Sequence, residues 1–197
     1  MPAAQKSVRV TASSKVGYDR CQETTETWLT PPALLKALGP FDLDPATPEQ
    51  GMPWRTAEKM LRPSDDGLTT VWPKTSFVWL NPPYGRGMDA WISKAAEHGN
   101  GVALIFARME TACMHSSVLT HPNASAMVFT KGRLSFCRED GRPGKACPMG
   151  SIFVGYGERA AQRLRKAMNV GHSRGHYLDL TSVRLLAGAD LGAANGE

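Results

Sequence analysis

The chain has 197 residues, of which 42% are hydrophobic and 21% charged; 23 Lys and Arg face 18 Asp and Glu, a net charge of +5. That length suits one domain with tails, and the composition excludes an acidic or basic disordered chain. The surplus of positive charge permits an anionic partner such as nucleic acid without demanding one. Cys21, Cys113, Cys137 and Cys147 show no CxxC pair and no His at zinc-finger spacing, so reduced thiols are expected rather than a disulfide frame or metal site. The N-terminal MPAAQKSVRVTASSK lacks the apolar stretch of a secretory signal, and no segment approaches the roughly 18 apolar residues of a membrane span, so a cytoplasmic protein is expected.

Residues 1–24 are polar and aperiodic, and 187–197 are small and polar; both read as flexible tails flanking a domain over 25–186. The first structured signal is Thr30-Pro31-Pro32 before ALLKAL, predicting a Thr-capped helix that ends at Gly39. FDLD (41–44) reads as a strand closed by Pro45, and an irregular connection follows over 47–63. FVWL (77–80) is a short apolar run expected as a strand buried on both faces, running directly into Asn81-Pro82-Pro83-Tyr84. Met88, Trp91, Ile92 and Ala95 recur at helical spacing up to His98, with VALIFA (102–107) the next strand. A helix near 112–120 leads to strands AMVFT (126–130) and RLSFC (133–137), a loop at 138–148 and strand SIFVGY (151–156). A helix at 158–168 follows, with Ala161, Leu164 and Met168 on one face. Strand and helix alternate first and hairpin-like strands gather later, so the fold is expected to be α/β: a mainly parallel central sheet with antiparallel edge strands and helices on both faces. In open sheets of this kind ligands bind beyond the carboxyl ends of the strands, which selects Asp44-Pro45-Ala46, Asn81 to Tyr84, and Arg108.

Asn81-Pro82-Pro83-Tyr84 carries the sharpest chemistry. Two successive prolines hold the backbone extended and remove two N–H donors, leaving the neighbouring carbonyls free to face a pocket. The Asn81 side-chain oxygen and the Pro82 carbonyl then suit both hydrogens of a planar exocyclic amine, and Tyr84 can stack on the base that bears it. The tetrapeptide resembles the catalytic motif of S-adenosylmethionine-dependent amino-methyltransferases. More closely, WLTPPALLKAL, FDLDPAT, DDGL, VWLNPPYGR and KGRLSF, in that order over about residues 26–156, resemble the phage-type DNA N-6-adenine methyltransferases.

The resemblance implies a Rossmann-like S-adenosylmethionine-dependent methyltransferase fold and transfer of a methyl group to the N-6 amine of a flipped adenine in DNA, with no metal. It places the active site on Asn81, Pro82, Pro83 and Tyr84, and a phage origin with it. It also places the methionine part of the cofactor near Thr30 and Pro31, where a helix start suits a carboxylate. The acidic strand end maps to Asp44-Pro45-Ala46, with Asp42 as the competing carboxylate. Asp65 or Asp66 is a candidate for the cofactor ribose or adenine, Asp66 being the one assigned, while a surface turn explains the same Asp-Asp-Gly. The glycine-rich turn usual after the first strand is missing, leaving Gly51 as the one glycine to admit a close ligand, and Glu49 and Glu58 are further ribose candidates.

DNA contact is expected from Arg86, directly after the catalytic turn, and from the late hairpin. There Lys131, Arg133, Arg138, Arg142 and Lys145 outweigh Glu139 and Asp140, Gly132 and Arg133 repeat the family's KGR, and Phe136 is a candidate pocket wall. Trp28, Trp54, Trp72, Trp79 and Trp91 read as core residues, with Trp28, beside Thr30, a candidate to cover the cofactor adenine. The same tetrapeptide serves enzymes that modify RNA bases or protein glutamine, and a non-catalytic DNA-binding module of this fold is a reading of another class. Intact Asn81 to Tyr84 argues against the latter.

Overall fold

The computed structural model describes residues 28–146, 149–169 and 175–184. The predicted tails, Cys21, Cys147 and His172 lie outside the described residues, as do the side chains of Lys145 and Met168. Helix α1 (Pro32–Leu38) opens with Pro31 as N-cap and Pro32 in the first turn, where a missing N–H costs nothing. Thr30 is therefore not the cap that the sequence suggested. The helix buries Leu34, Leu35 and Leu38, and ends at Gly39.

Three two- or three-residue strands come next: β1 (Leu43–Asp44), β2 (Lys59–Met60) and β3 (Val78–Leu80). Helix α2 (Met88–His98) leads into β4 (Gly101–Phe106). Helix α3 (Ala112–Met114), capped by Thr111, widens into a π-helical turn over His115–Leu119. Strand β5 (Ala124–Thr130) precedes a separate hairpin of β6 (Ser135–Cys137) and β7 (Pro143–Ala146). The chain returns through β8 (Ser151–Tyr156), helix α4 (Glu158–Asn169) and β9 (Gly175–Asp179). Strands β2, β7 and β9 carry no apolar pattern that predicts a strand. β2 is two residues long, β7 sits inside the predicted 138–148 loop, and β9 follows the last predicted helix.

The seven-stranded sheet has the order β2-β1-β3-β4-β8-β5-β9. The first four strands are mutually parallel, whereas β8 runs antiparallel to both β4 and β5, and β9 antiparallel to β5. Five strands thus point one way and β8 and β9 the other, so the pairings divide three parallel to three antiparallel; β9 is the expected antiparallel edge strand, whereas β8 lies inside the sheet. The reversal comes from the return through β6 and β7, which brings β8 back between β4 and β5 instead of to an edge. Side chains alternate across it: Val102 and Leu104 of β4 face α1 and α4, where Leu38 and Leu164 pack. Ala103 and Ile105 face α2 and the α3 segment, where Ile92, Met114 and Val118 pack. Both faces are covered by helices, which is why the central strands read as unbroken apolar runs.

From β1 the chain moves outward to β2 and then crosses to β3 on the other side. The carboxyl ends of β1 and β3 consequently diverge and leave a crevice at the point where a doubly wound sheet binds its ligands. The β6–β7 hairpin is fastened to that end of the molecule by backbone hydrogen bonds in both directions between Leu29 and Cys137, at 2.9 and 2.8 Å. No helix among the described residues is long and apolar enough to cross a membrane.

Candidate active site

A cavity of about 350 Å³ occupies the crevice. Its lining combines Trp28, Leu29 and Thr30 with the turn after β1 (Asp44 to Pro48) and the turn after β3 (Asn81 to Tyr84). Asp66 and Gly67 come from the DDGL segment. Four motifs separated by up to 56 positions in sequence thus meet at one surface because β1 and β3 are neighbours.

Asp44 lines the cavity and is 4% exposed. One carboxylate oxygen accepts from Thr56 Oγ1 at 2.5 Å and the other from the Ala46 backbone N–H at 3.0 Å. Burial pushes its pKa up to about 6, with the two hydrogen bonds opposing the shift. Asp42, the competing carboxylate, faces elsewhere: it accepts from the Phe77 N–H at 2.6 Å and lies 3.6 Å from Arg159. Asp65 caps its own turn by accepting from the Arg62 N–H at 2.8 Å, whereas Asp66 is the one of the pair that lines the cavity. Hydrogen bonding from Thr69 holds the exposed Asp66 carboxyl below its ordinary pKa.

In the turn after β3, the Asn81 amide is oriented at both ends. Nδ2 donates to the Trp28 carbonyl at 3.1 Å, and Oδ1 accepts from Tyr84 Oη at 3.0 Å. An amide oxygen has two lone pairs, so Oδ1 keeps one acceptor site beyond the tyrosine. The Tyr84 ring is stacked on Phe106, with centroids 4.0 Å apart and planes 21° from parallel. The Thr30 and Thr47 hydroxyls are buried in the same lining without a hydrogen-bond partner among the described residues. Unsatisfied buried hydroxyls are costly, and a ligand's polar atoms are what such groups commonly serve.

The wall carrying Asp66 is secured by a residue that the sequence did not single out. Lys94 of α2 donates to the carbonyls of Gly67 (3.2 Å), Leu68 (2.5 Å) and Thr70 (2.6 Å), and lies over the Trp72 ring at 4.9 Å. Partial burial lowers its pKa. Gly67 is the close-approach glycine: a Cβ there would fall 2.0 Å from the Pro45 carbonyl oxygen and 2.9 Å from Trp91. Gly51 has a positive φ of 79° but does not line the cavity. Thr56, Trp91 and Arg62 also line it, and no sequence motif points to them: Trp91 has only helical spacing, and Thr56 and Arg62 sit in an irregular connection with no pattern.

Not every expected residue arrives there. Phe136 is 2% exposed and packs in the core with the α1 and α4 side chains, so it does not wall the pocket. Pro31 serves as helix cap outside the lining, and Glu49 and Glu58 are exposed away from it. Gly132, with φ of 85°, and exposed Arg133 sit at the turn before β6 rather than in the cavity. Arg86 is exposed and lines a neighbouring, smaller cavity.

Fold and site together define an α/β protein with a ligand cavity at the switch point of its sheet and an Asn-Pro-Pro-Tyr turn forming one wall. The family model described as DNA N-6-adenine-methyltransferase (Dam) matches residues 19–164, and the chain belongs to that family. A DNA N-6-adenine-methyltransferase of Escherichia phage T1 is 34% identical over 85 residues, covering 40% of this chain. The match spans about a third, 34%, of that relative's length. No solved structure matches.

Proposed function

We propose that this protein transfers a methyl group from S-adenosylmethionine to the N-6 amine of an adenine turned out of DNA. The observation that carries this reading is the Asn81 amide. It is pinned by the Trp28 carbonyl so that an acceptor oxygen is available in a cavity that also holds a buried carboxylate and two orphaned hydroxyls. Family membership supports the base and the atom modified. The crevice between β1 and β3, and the reversed β8 between β4 and β5, support the Rossmann-like methyltransferase fold.

The residues present fit the cofactor. Thr30 and Thr47 bring unpartnered hydroxyls suited to its polar groups, Asp66 an acceptor for ribose hydroxyls, and Trp28 an aromatic face. Asp44 is a carboxylate whose ionised form is disfavoured by burial until a cation approaches, which matches a cationic ligand. Bound S-adenosylmethionine supplies an electrophilic methyl on a sulfonium sulfur. Asn81 Oδ1 and the Pro82 carbonyl accept the two N–H bonds of the adenine amine and draw its lone pair out of ring conjugation, while Tyr84 stacks on the base. The amine becomes acidic once methylated and its proton passes to solvent, so no side chain is assigned as base.

The test is incubation of the purified protein with unmethylated DNA and S-adenosylmethionine, followed by nucleoside digestion and mass spectrometry. N-6-methyladenine is expected from the wild type and is lost or strongly reduced in Asn81→Ala, with cofactor affinity by calorimetry nearly unchanged. Methylcytosine would correct the base. No modified nucleoside despite cofactor binding would move the substrate to RNA or protein glutamine, and no cofactor binding at all would leave a DNA-binding module.

A further inference from the structure

A second cavity, of about 230 Å³, lies beyond the Tyr84–Phe106 stack: Tyr84 lines the first cavity and Phe106 the second, so the two rings form the partition. Ile92, Ile105 and Phe106 give it an apolar wall, and Arg86 and Arg108 are its cations. Both arginines are exposed, and among the described residues neither forms an ion pair. The one carboxylate in the lining is Asp89, so the cavity is net positive.

Local backbone sets the points from which the two side chains extend. Arg86 sits between Gly85 and Gly87, with φ of 137° and 91°; a Cβ at either glycine would touch nothing within 4 Å, so these glycines serve conformation rather than space. The turn therefore presents a guanidinium two residues beyond Tyr84. Arg108 follows the end of β4, and its carbonyl accepts from the Thr111 N–H at 3.3 Å and Thr111 Oγ1 at 3.1 Å, fixing that loop at the same end of the sheet.

We propose that this cavity is a phosphate subsite for the target strand, in which Arg86 and Arg108 clamp the phosphodiester adjoining the flipped nucleotide. The inference rests on the adenine-methylation reading and adds the contact that keeps the base out of the duplex. A base turned out against Tyr84 carries its own phosphodiester within one nucleotide of the ring, and Arg86 follows Tyr84 by two residues in the wall of the adjoining cavity. Guanidinium groups suit phosphate through paired N–H donors. Contacts of this type position the strand without reading its sequence.

The experiment compares wild type, Arg86→Ala, Arg108→Ala, the double alanine variant and the double lysine variant on a mixed-sequence unmethylated duplex. Affinity is followed from 50 to 300 mM salt, and methyladenine is measured in the same preparations. Each alanine is expected to weaken DNA binding roughly tenfold. Each also lowers the slope of log affinity against log salt by about 0.9, so the double variant loses roughly twice that. The double lysine variant keeps the slope because charge, not fork geometry, sets it, and cofactor affinity stays that of the wild type. An unchanged slope in the double alanine variant, from a wild type that methylates adenine, overturns the subsite alone. A changed sequence preference with an unchanged slope does the same. A wild type that yields no methyladenine overturns the underlying reading, and the subsite with it.

Discussion

Replacing Asp44 by Asn gives a sharp test of the cavity's electrostatics. The carboxyl is 4% exposed and its pKa is pushed up from 3.8 to about 6, against an unfolded chain in which it stays near the ordinary value. At 1.36 kcal/mol per pKa unit, about two units correspond to about 3 kcal/mol. The sign follows from proton binding: between pH 3.8 and 6 the native state holds the proton more tightly than the unfolded chain. Asp44 therefore favours the folded state fully below about pH 3.8, and that advantage is lost as the pH rises through about 6. The Asp44→Asn variant would carry no such dependence. Its amide oxygen can still accept from the Ala46 N–H, and its amino group can donate to the Thr56 hydroxyl once that rotates. Urea unfolding of both proteins without ligand, at intervals from pH 3 to 7.5, should show wild-type stability falling relative to the variant by about 3 kcal/mol across the window. Parallel curves would refute a buried, strained carboxylate at this position. With S-adenosylmethionine the wild type should bind more weakly below pH 6, because binding must first displace the Asp44 proton, and Asp44→Asn should bind weakly throughout. A variant with wild-type affinity at neutral pH would remove Asp44 from cofactor binding.

Gly67→Ala places a methyl group against the Pro45 carbonyl, where no side chain can yield, and should cost about 1–3 kcal/mol in urea unfolding with a matching loss of cofactor affinity; wild-type values for both would show that the approach is not tight. Lys94→Met keeps the stem but withdraws the donor from three carbonyls, with an expected loss of about 1–2 kcal/mol and faster proteolysis within residues 66–70; equal resistance to protease would remove Lys94 as the staple of that wall. Phe106→Ala removes the ring behind Tyr84, an aromatic pair worth about 0.5–1.5 kcal/mol beyond its buried area; KM for DNA should rise several-fold while cofactor affinity holds, and an unchanged KM would mean that Tyr84 needs no backing.

Secondary structure was legible where apolar residues repeat over several positions. Helix α2, β4, β8 and α4 lie within a residue or so of the predicted ranges because their burial follows one periodicity along the chain. FDLD shrank to Leu43–Asp44, since only its end pairs with β2 and β3 in register. Strand order was not legible. Whether β8 lies at an edge or between β4 and β5 depends on which surfaces meet, not on its own alternation.

The candidate site divides in the same way. Asn81-Pro82-Pro83-Tyr84 is readable from four residues because the proline rings constrain the backbone locally, whatever surrounds them. Asp42 and Asp44 stand two positions apart on one short segment, and nothing local distinguishes them. Arg159 and the Phe77 N–H engage the first, while the second enters the crevice with Thr56. Phe136 looked available because it neighbours a basic turn, yet burial against α1 and α4 removes it. Sequence by itself therefore determined the chemistry-bearing turn, the apolar elements and the family resemblance, since each is written in short-range steric and periodic constraints. Tertiary structure alone decided which carboxylate, hydroxyls and glycine share the cavity, because those choices depend on contacts between segments that meet only when the sheet is assembled.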